Sequence, residues 1–395
     1  MGVGWGGSVE SVSGAWGLRL SRVAVFGAFT LSGILLALWV VHIPAITAQT
    51  GVSPATLGVL VLLMAGAALV GMRAAGPAAD RFGSRTLVGV AAATVSVTIV
   101  GPALATDAVT LAIALACYGI GNGALDVSMN TQAVFIERAY GRPIMSAFHA
   151  MFSGGAFAGA LLGAATQRAG WSPQLTLTCA SVAGLVVTVL LVPRLVAHPD
   201  APAQALDSGT KRPDRSRKVL ALGAVAFVLL LAEGVAADWS ALQARDHLGV
   251  SESDAALAFG AFSATMTLGR FLADRVSAAI GPVAVLRYGS LLAAGGFAVI
   301  IASPWLPLTL LGWALCGLGL AGGVPQIFTT AGNLGGTTAA TDMSRVFTIG
   351  YLGLLAGPAF IGWLTALVPL TAALTVPLIL TLACAGAAHI VTPRG

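Results

Sequence analysis

Charge is scarce in this chain. Only 9% of its 395 residues are Asp, Glu, Lys or Arg, against about a quarter in a soluble domain, and that deficit excludes an ordinary water-exposed globular surface. Cysteine is scarce as well. Cys117, Cys179, Cys316 and Cys384 all fall inside apolar runs, so neither a disulfide framework nor a metal cluster is expected, and the four read as small core residues. The patterns HExxH and GxSxG are missing; no catalytic residue, metal or cofactor is therefore expected, and the chain is not read as an enzyme. Short segments of alternating hydrophobicity, the mark of a membrane β-barrel, are lacking too. The first apolar run is too long for a signal-peptide core and no small-residue cleavage pattern follows it, so it is expected to be retained.

What fills the chain is hydrophobic: 57% of residues, with a mean hydropathy of +0.91. A hydrocarbon core about 30 Å thick needs roughly 20 apolar residues per helix. Such runs fall near 22–48, 54–79, 84–105, 108–136, 144–167, 173–195, 218–244, 253–277, 282–302, 305–329, 342–367 and 369–391, numbered spans 1 to 12 below. The fold class expected is an all-α integral membrane protein with twelve transmembrane helices, multi-pass in the cell membrane, with the lipid bilayer as its first partner. If both termini are cytoplasmic, only Arg168 and Arg245 of the twenty Lys and Arg face outward. That is a strong positive-inside asymmetry. The net charge of +5 then reports orientation, and no nucleic-acid partner is expected.

A shift of 198 positions, which carries residue 51 onto residue 249, brings the two halves into register. Gly51-Val52-Ser53 meets Gly249-Val250-Ser251, Gly119 and Gly121 meet Gly317 and Gly319, Met145-Ser146 meets Met343-Ser344, and Gly155, Ala158 and Gly159 meet Gly353, Ala356 and Gly357. Four matches at one offset argue for a duplication. The chain is therefore expected to form two pseudo-symmetric six-helix bundles, 22–195 and 218–391, joined by a cytoplasmic linker at 196–217, with cytoplasmic ends at 1–21 and 392–395. The linker holds Pro199, Pro202, Pro213 and the basic cluster from Lys211 to Lys218. Gly317 to Gly322 fits the dinucleotide pattern GxGxxG, but it lies in an apolar span with no preceding strand, so close helix packing is the better reading. Gly155, Gly159 and Gly163, with Gly353 and Gly357, form small-residue stripes of the same kind.

The stretch from Gly76 to Arg85, GPAADRFGSR, follows span 2 and resembles the signature loop of the major facilitator superfamily, with Gly76, Asp80, Arg81, Gly83 and Arg85 at the family's spacing. A partial echo, GRFLADR, runs from Gly269 to Arg275 after span 8 and contains Asp274 and Arg275. The resemblance covers essentially the whole chain. It implies two bundles rocking about a central site, with a small-molecule substrate meeting one side of the membrane at a time, and usually a monomer. It also implies gating by the signature loop, with Asp80 either against the N-terminal end of span 11 or paired with Arg138, beside Glu137. The positions matching Glu137 and Arg138 in the second half are Gly335 and Gly336. Within the superfamily, Asp126 followed by Asn130 on span 4 resembles the branch containing the fucose-proton symporter. The second membrane acid of that branch is absent here; Val40 takes its position, with His42 two residues on.

Candidate site residues follow from polar groups in apolar helices. A carboxylate near the bilayer centre costs at least about 2.5–3.5 kcal/mol, so Asp126 must face a polar cavity, pair, or be protonated. Asn122, Asp126 and Asn130 stand at i, i+4 and i+8, one stripe on span 4. Two readings are open: a proton carrier, or a structural acid bonding across the bundle. Span 7 adds Glu233 and Asp238; Glu233 shares a face with Ser240, while Asp238 points toward Arg245. His42, and likewise His149, could relay protons or simply hydrogen-bond. Trp39 and Trp239 could stack on a substrate ring, with Asn122, Asn130, Gln132 and Gln326 bonding it; Trp171, Trp305 and Trp363 fit an interfacial belt. No Lys, and no Arg on spans 1, 4, 7 or 10, lies in the central third. The function expected is proton-coupled uptake of a sugar-like or other neutral polar solute; the alternative is a proton-driven exporter of hydrophobic or cationic compounds.

Overall fold

The computed structural model describes residues 9–197, 212–334 and 338–392. Among them twelve helices are long and apolar enough to cross a bilayer: span 1 Gly17–Thr50, span 2 Thr56–Phe82, span 3 Ser84–Leu104, span 4 Ala108–Tyr140, span 5 Met145–Arg168, span 6 Pro173–Arg194, span 7 Arg215–Leu248, span 8 Ser253–Ile280, span 9 Pro282–Ala302, span 10 Leu306–Gly332, span 11 Ala339–Leu364 and span 12 Leu370–Val391. These are the twelve expected, in the same order, and the described residues contain no strand. Several helices overrun the apolar runs. Span 1 belongs to a helix beginning at Val9, and span 7 to one beginning at Arg212. A helix satisfies its own backbone groups, so it continues past the hydrocarbon edge where nothing stops it. Residues 9–21 and 212–217, expected as a terminal segment and part of the linker, are therefore helical. The linker at 198–211, the ends at 1–8 and 393–395, and Gly335 and Gly336 lie outside the described residues.

Three expected spans are interrupted. Span 3 stops at Thr98 and resumes as Gly101–Leu104 around Pro102. Span 10 runs Leu306–Leu320, then Gly323–Gly332 around Pro325, and span 12 runs Leu370–Ala373, then Thr375–Gly386 around Pro377. Proline has no N–H, and its ring collides with the carbonyl four residues earlier. Those carbonyls belong to Thr98, Ala321 and Ala373, and each break falls at or beside that residue. Pro44, Pro77 and Pro358 sit inside unbroken helices.

The chain forms two compact units, Met1–Arg142 with Met151–Ala205, and Pro143–Ala150 with Leu206–Gly395. The sequence repeat is visible in the packing of each. In the first, a Cβ added to Gly119 of span 4 would overlap the Met64 carbonyl oxygen of span 2; in the second, a Cβ on Gly317 of span 10 would overlap the Phe262 carbonyl oxygen of span 8. Both pairs obey the 198-residue offset. Likewise Gly155 of span 5 abuts the Thr30 backbone of span 1, and Gly353 of span 11 abuts the Phe227 backbone of span 7. Lipid is as apolar as Leu, so helices in a membrane associate by close packing, and only glycine lets backbones approach this far. The loops repeat too: Gly83 and Gly281 both have φ of 84° and both donate N–H to the carbonyl four residues back, Ala79 and Ser277.

Burial corrects the cysteine reading in part. Cys316 and Cys384 are buried, whereas Cys117 and Cys179 are exposed. Trp171, Trp305 and Trp363 are exposed near helix ends, as an interfacial belt requires.

Candidate functional site

In the first unit the polar centre is Asp126, near the middle of span 4 and 9% exposed. Helical spacing sets Asn130 one turn later on the same face. Its Nδ2 donates to Asp126 Oδ1 at 3.0 Å and to the Asp126 carbonyl oxygen at 2.9 Å. Asn130 is fully buried, and its own Oδ1 has no hydrogen-bond partner among the described residues. An amide suits a titrating neighbour for a simple reason. It donates N–H to a carboxylate and, turned over, presents a carbonyl to a carboxylic acid O–H. Asn122, the third member of the stripe, is half-buried.

Other first-unit candidates are held more firmly than their residue types suggested. His42 is fully buried, with Nδ1 donating to the Leu38 carbonyl oxygen at 2.7 Å; Nε2 therefore carries no proton in the neutral ring and has no hydrogen-bond partner among the described residues. Trp39 is 2% exposed, so the structure leaves no ring face open for a solute, and the stacking role expected of it is withdrawn. Gln132 is occupied at both ends. Its Nε2 donates to Ser84 Oγ at 2.8 Å and the Val196 carbonyl oxygen at 2.9 Å, while its Oε1 accepts the Val196 N–H at 3.0 Å. It ties span 4 to the first residue of span 3 and to the backbone just beyond span 6 instead of reaching a ligand.

In the second unit Glu233, near the middle of span 7, meets Arg270 of span 8, with Nη2–Oε1 at 2.9 Å. Both side chains are half-buried, 22% and 19% exposed. Asp238, five residues on, is exposed, and the expected partner Arg245 instead places Nε 2.9 Å from Asp246 Oδ1. A span of seven residues is two helical turns, longer than an Arg side chain reaches comfortably along the axis. Trp239 is half-buried; its Nε1 donates to the Pro358 carbonyl oxygen at 3.2 Å. Gln326 accepts from the Ser277 hydroxyl at 3.1 Å. Trp313 is wholly internal, donating to Gln243 Oε1 at 3.2 Å. His149 lies 6.0 Å from the Phe328 ring, which stacks on Phe347 at 3.6 Å.

Of the gating residues, Gly83 caps span 2, with Gly76 buried, Asp80 half-buried, Arg81 exposed and Arg85 half-buried around it. Glu137 is buried and Arg138 exposed in the last turn of span 4. Asp274 carries the clearest contact. Its carboxylate accepts the Ser146 N–H at 2.9 Å and the Ala147 N–H at 2.7 Å, two of the unsatisfied donors that open the helix Met145–Arg168, within the segment Pro143–Ala150 that groups with the second unit. Arg275, beside it, is exposed.

Two features were not anticipated from sequence. Arg270 was read only as part of the GRFLADR echo, yet it is the cation that meets Glu233. At the N-terminal end of span 7, Arg215 Nε meets Asp342 Oδ2 at 2.6 Å, and Arg345 Nη1 lies 3.3 Å from Asp342 Oδ1. An Asp in the first turn of span 11 hints at the second site through the helix dipole; the first gives no local signal.

Comparison with known proteins agrees with this architecture. Residues 20–237 match the family profile described as Major Facilitator Superfamily. The chain is 34% identical over 370 residues to an uncharacterized MFS-type transporter of Yersinia pestis, covering 92% of this chain and 94% of that one. It is 31% identical over 358 residues to the membrane protein MosC of Rhizobium meliloti, covering 91% and 87%. Among solved structures it resembles the fucose:proton symporter FucP of E. coli, at a TM-score of 0.73 and 14% identity, covering 94% of this chain and 98% of that one; at that identity the likeness is one of fold.

Proposed function

The chain belongs to the major facilitator superfamily of transporters, and from that premise we propose that it takes up a sugar-like or other neutral polar solute together with protons. The observation that carries this reading is the buried Asn130–Asp126 hydrogen bond in the middle of span 4. An acid held at that depth by an amide able to serve either protonation state is what a reversible proton site requires. Asp126 is the proposed proton carrier, with Asn122, Asn130 and Gln326 as candidate solute contacts. The neutrality of the solute is supported by the charge inventory, because the guanidinium of Arg270 is matched by Glu233. The same pairing weighs against the exporter of cations, for which Glu233 would have to offer an unmatched charge.

The proposed orientation places both termini and the joint at 196–217 in the cytoplasm, following the basic residues. Asp80 and Asp274 are then proposed as cytoplasmic gates: each would hold its site while that side is closed and let go as it opens. Proteoliposomes with an imposed pH gradient, offered a panel of sugars, polyols and organic cations, test the reading. Gradient-driven accumulation of a polar solute is expected, and it should be abolished in Asp126→Asn. Full pH-driven accumulation by that variant would remove Asp126 from the proton path.

A further inference from the structure

Spans 7 and 11 run parallel and pack in step, with Gly223 against Ile349, Phe227 against Gly353 and Leu231 against Gly357. Spans 1 and 5 pack the same way in the first unit, Thr30 against Gly155 and Ile34 against Gly159. What does not repeat is the charge at the first turns. Arg215 of span 7 and Arg345 of span 11 share one carboxylate, that of Asp342, whose side chain is 3% exposed; 198 positions earlier stand Gly17, Ala147 and Ile144. Close packing of such a helix pair therefore needs none of these charges. The triad holds one positive charge in excess, and Arg217, exposed and paired with no carboxylate among the described residues, adds a second. Arg215 also carries an orphan donor. Its Nε is spent on Asp342, while its Nη2 is buried with no hydrogen-bond partner among the described residues. Buried donors are almost always satisfied, so an acceptor belongs there. Water would satisfy the N–H groups and leave the excess charge; an anion answers both.

We propose that Arg215, Arg217 and Arg345 bind the phosphate of an anionic phospholipid headgroup at the N-terminal ends of spans 7 and 11. Guanidinium groups offer planar forks of N–H donors that match phosphate oxygens. The side chains of Arg215 and Arg345 are 24% and 46% exposed, so the group is open on one side, and a turn of Arg215 about its Asp342 contact brings the Nη2 edge there. The neighbouring exposed residues supply the rest of a lipid site. Leu220, about one turn deeper than Arg217, is 61% exposed, and Leu352, about two turns deeper than Arg345, is 45% exposed. Cations at the end of a membrane span, above exposed leucines, match a phosphate above acyl chains. The excess of positive charge selects an anionic lipid, because a zwitterionic one brings a cation of its own. This site stands apart from the solute reading and is tested without transport.

The test is thermal stabilisation of the full chain, purified in a neutral detergent and titrated with dioctanoyl phosphatidylglycerol, dioctanoyl phosphatidylcholine or sodium phosphate at constant ionic strength. Phosphatidylglycerol should raise the midpoint of the wild type in a saturable way, at concentrations where the other two do little. Arg217→Gln and Arg345→Gln leave the Arg215–Asp342 pair in place, and each should raise the half-saturating concentration about fivefold, the worth of one cation near an anionic headgroup. Arg19→Gln is the control. Arg19 is the exposed arginine 198 positions before Arg217, on the unit without the triad, and its loss should leave the titration unchanged. Equal responses to phosphatidylglycerol and phosphatidylcholine would overturn the proposal, as would an unchanged titration in both span 7 and span 11 variants. A loss in Arg19→Gln as large as in Arg217→Gln would reduce the effect to general surface charge and overturn it too. Stabilisation by sodium phosphate matching that by phosphatidylglycerol would assign the arginines to a soluble phosphate and sink the lipid assignment.

Discussion

Gly154 and Gly155 are neighbours on span 5, yet an added methyl group meets opposite fates at the two positions. At Gly154 a Cβ would find nothing within 4 Å; at Gly155 it would overlap the Thr30 carbonyl oxygen and press on the Thr30 Cα at 2.9 Å. Both substitutions to Ala share the same gain in helix propensity, about 0.5–1 kcal/mol. Their difference therefore isolates the packing strain between spans 1 and 5. The obstacle at Gly155 is backbone, which cannot rotate away, so strain of about 1–3 kcal/mol is expected. For a unit of this size each kcal/mol moves the thermal midpoint by about 2–4 °C. Gly154→Ala should thus melt at or slightly above wild type, and Gly155→Ala several degrees below Gly154→Ala, measured by thermal unfolding in one detergent. By the repeat, Gly353→Ala, which would overlap the Phe227 carbonyl oxygen, should behave like Gly155→Ala. Equal midpoints for the adjacent pair would refute the close approach on which this account of the bundles rests.

Other outcomes follow from single groups. Gln132→Ala strands buried partners on Ser84 and Val196, and with about 1–3 kcal/mol for leaving such groups unsatisfied it should lower the melting temperature while leaving the solute concentration for half-maximal uptake unchanged. Asp107, in the loop before span 4, accepts the backbone N–H of Thr110 and of Val109 at 2.9 Å each, and the Thr110 contact foremost holds its carboxyl below the usual 3.8. A depressed carboxyl contributes stability above its ordinary range and loses it as pH falls through the lowered value. Asp107→Ala should therefore weaken the protein at neutral pH and flatten the acid limb of its stability profile; an acid limb identical to wild type would discard the cap.

Spans, repeat and polar stripe were legible for reasons confined to the chain itself. A bilayer demands a fixed length of apolar helix, so twelve runs imply twelve spans. Duplication leaves equal offsets, and Gly119 with Gly317 could be paired before their contacts were known. Asp126 and Asn130 meet because four residues is nearly one helical turn. Proline was visible but ambiguous: Pro102, Pro325 and Pro377 break their helices while Pro44, Pro77 and Pro358 do not. The same residue type within an apolar span gives both outcomes, and no local pattern reports which.

The functional pairings separate along the same line. Glu233 and Arg270 are 37 residues apart and become partners only because spans 7 and 8 pack with those faces together. Trp39 and Trp239 looked equivalent in the sequence, yet one is sealed in the core and the other half-open at Pro358. Gln132 looked like a ligand contact, yet both ends of its amide are held by the Ser84 hydroxyl and by the Val196 backbone just beyond span 6. The sequence by itself determined a twice-repeated set of membrane helices and the acid–amide pair on span 4, since hydropathy and helical period are properties of the chain. Only the tertiary structure decided which charges neutralise one another and which rings remain open, because those depend on which helix faces are turned inward.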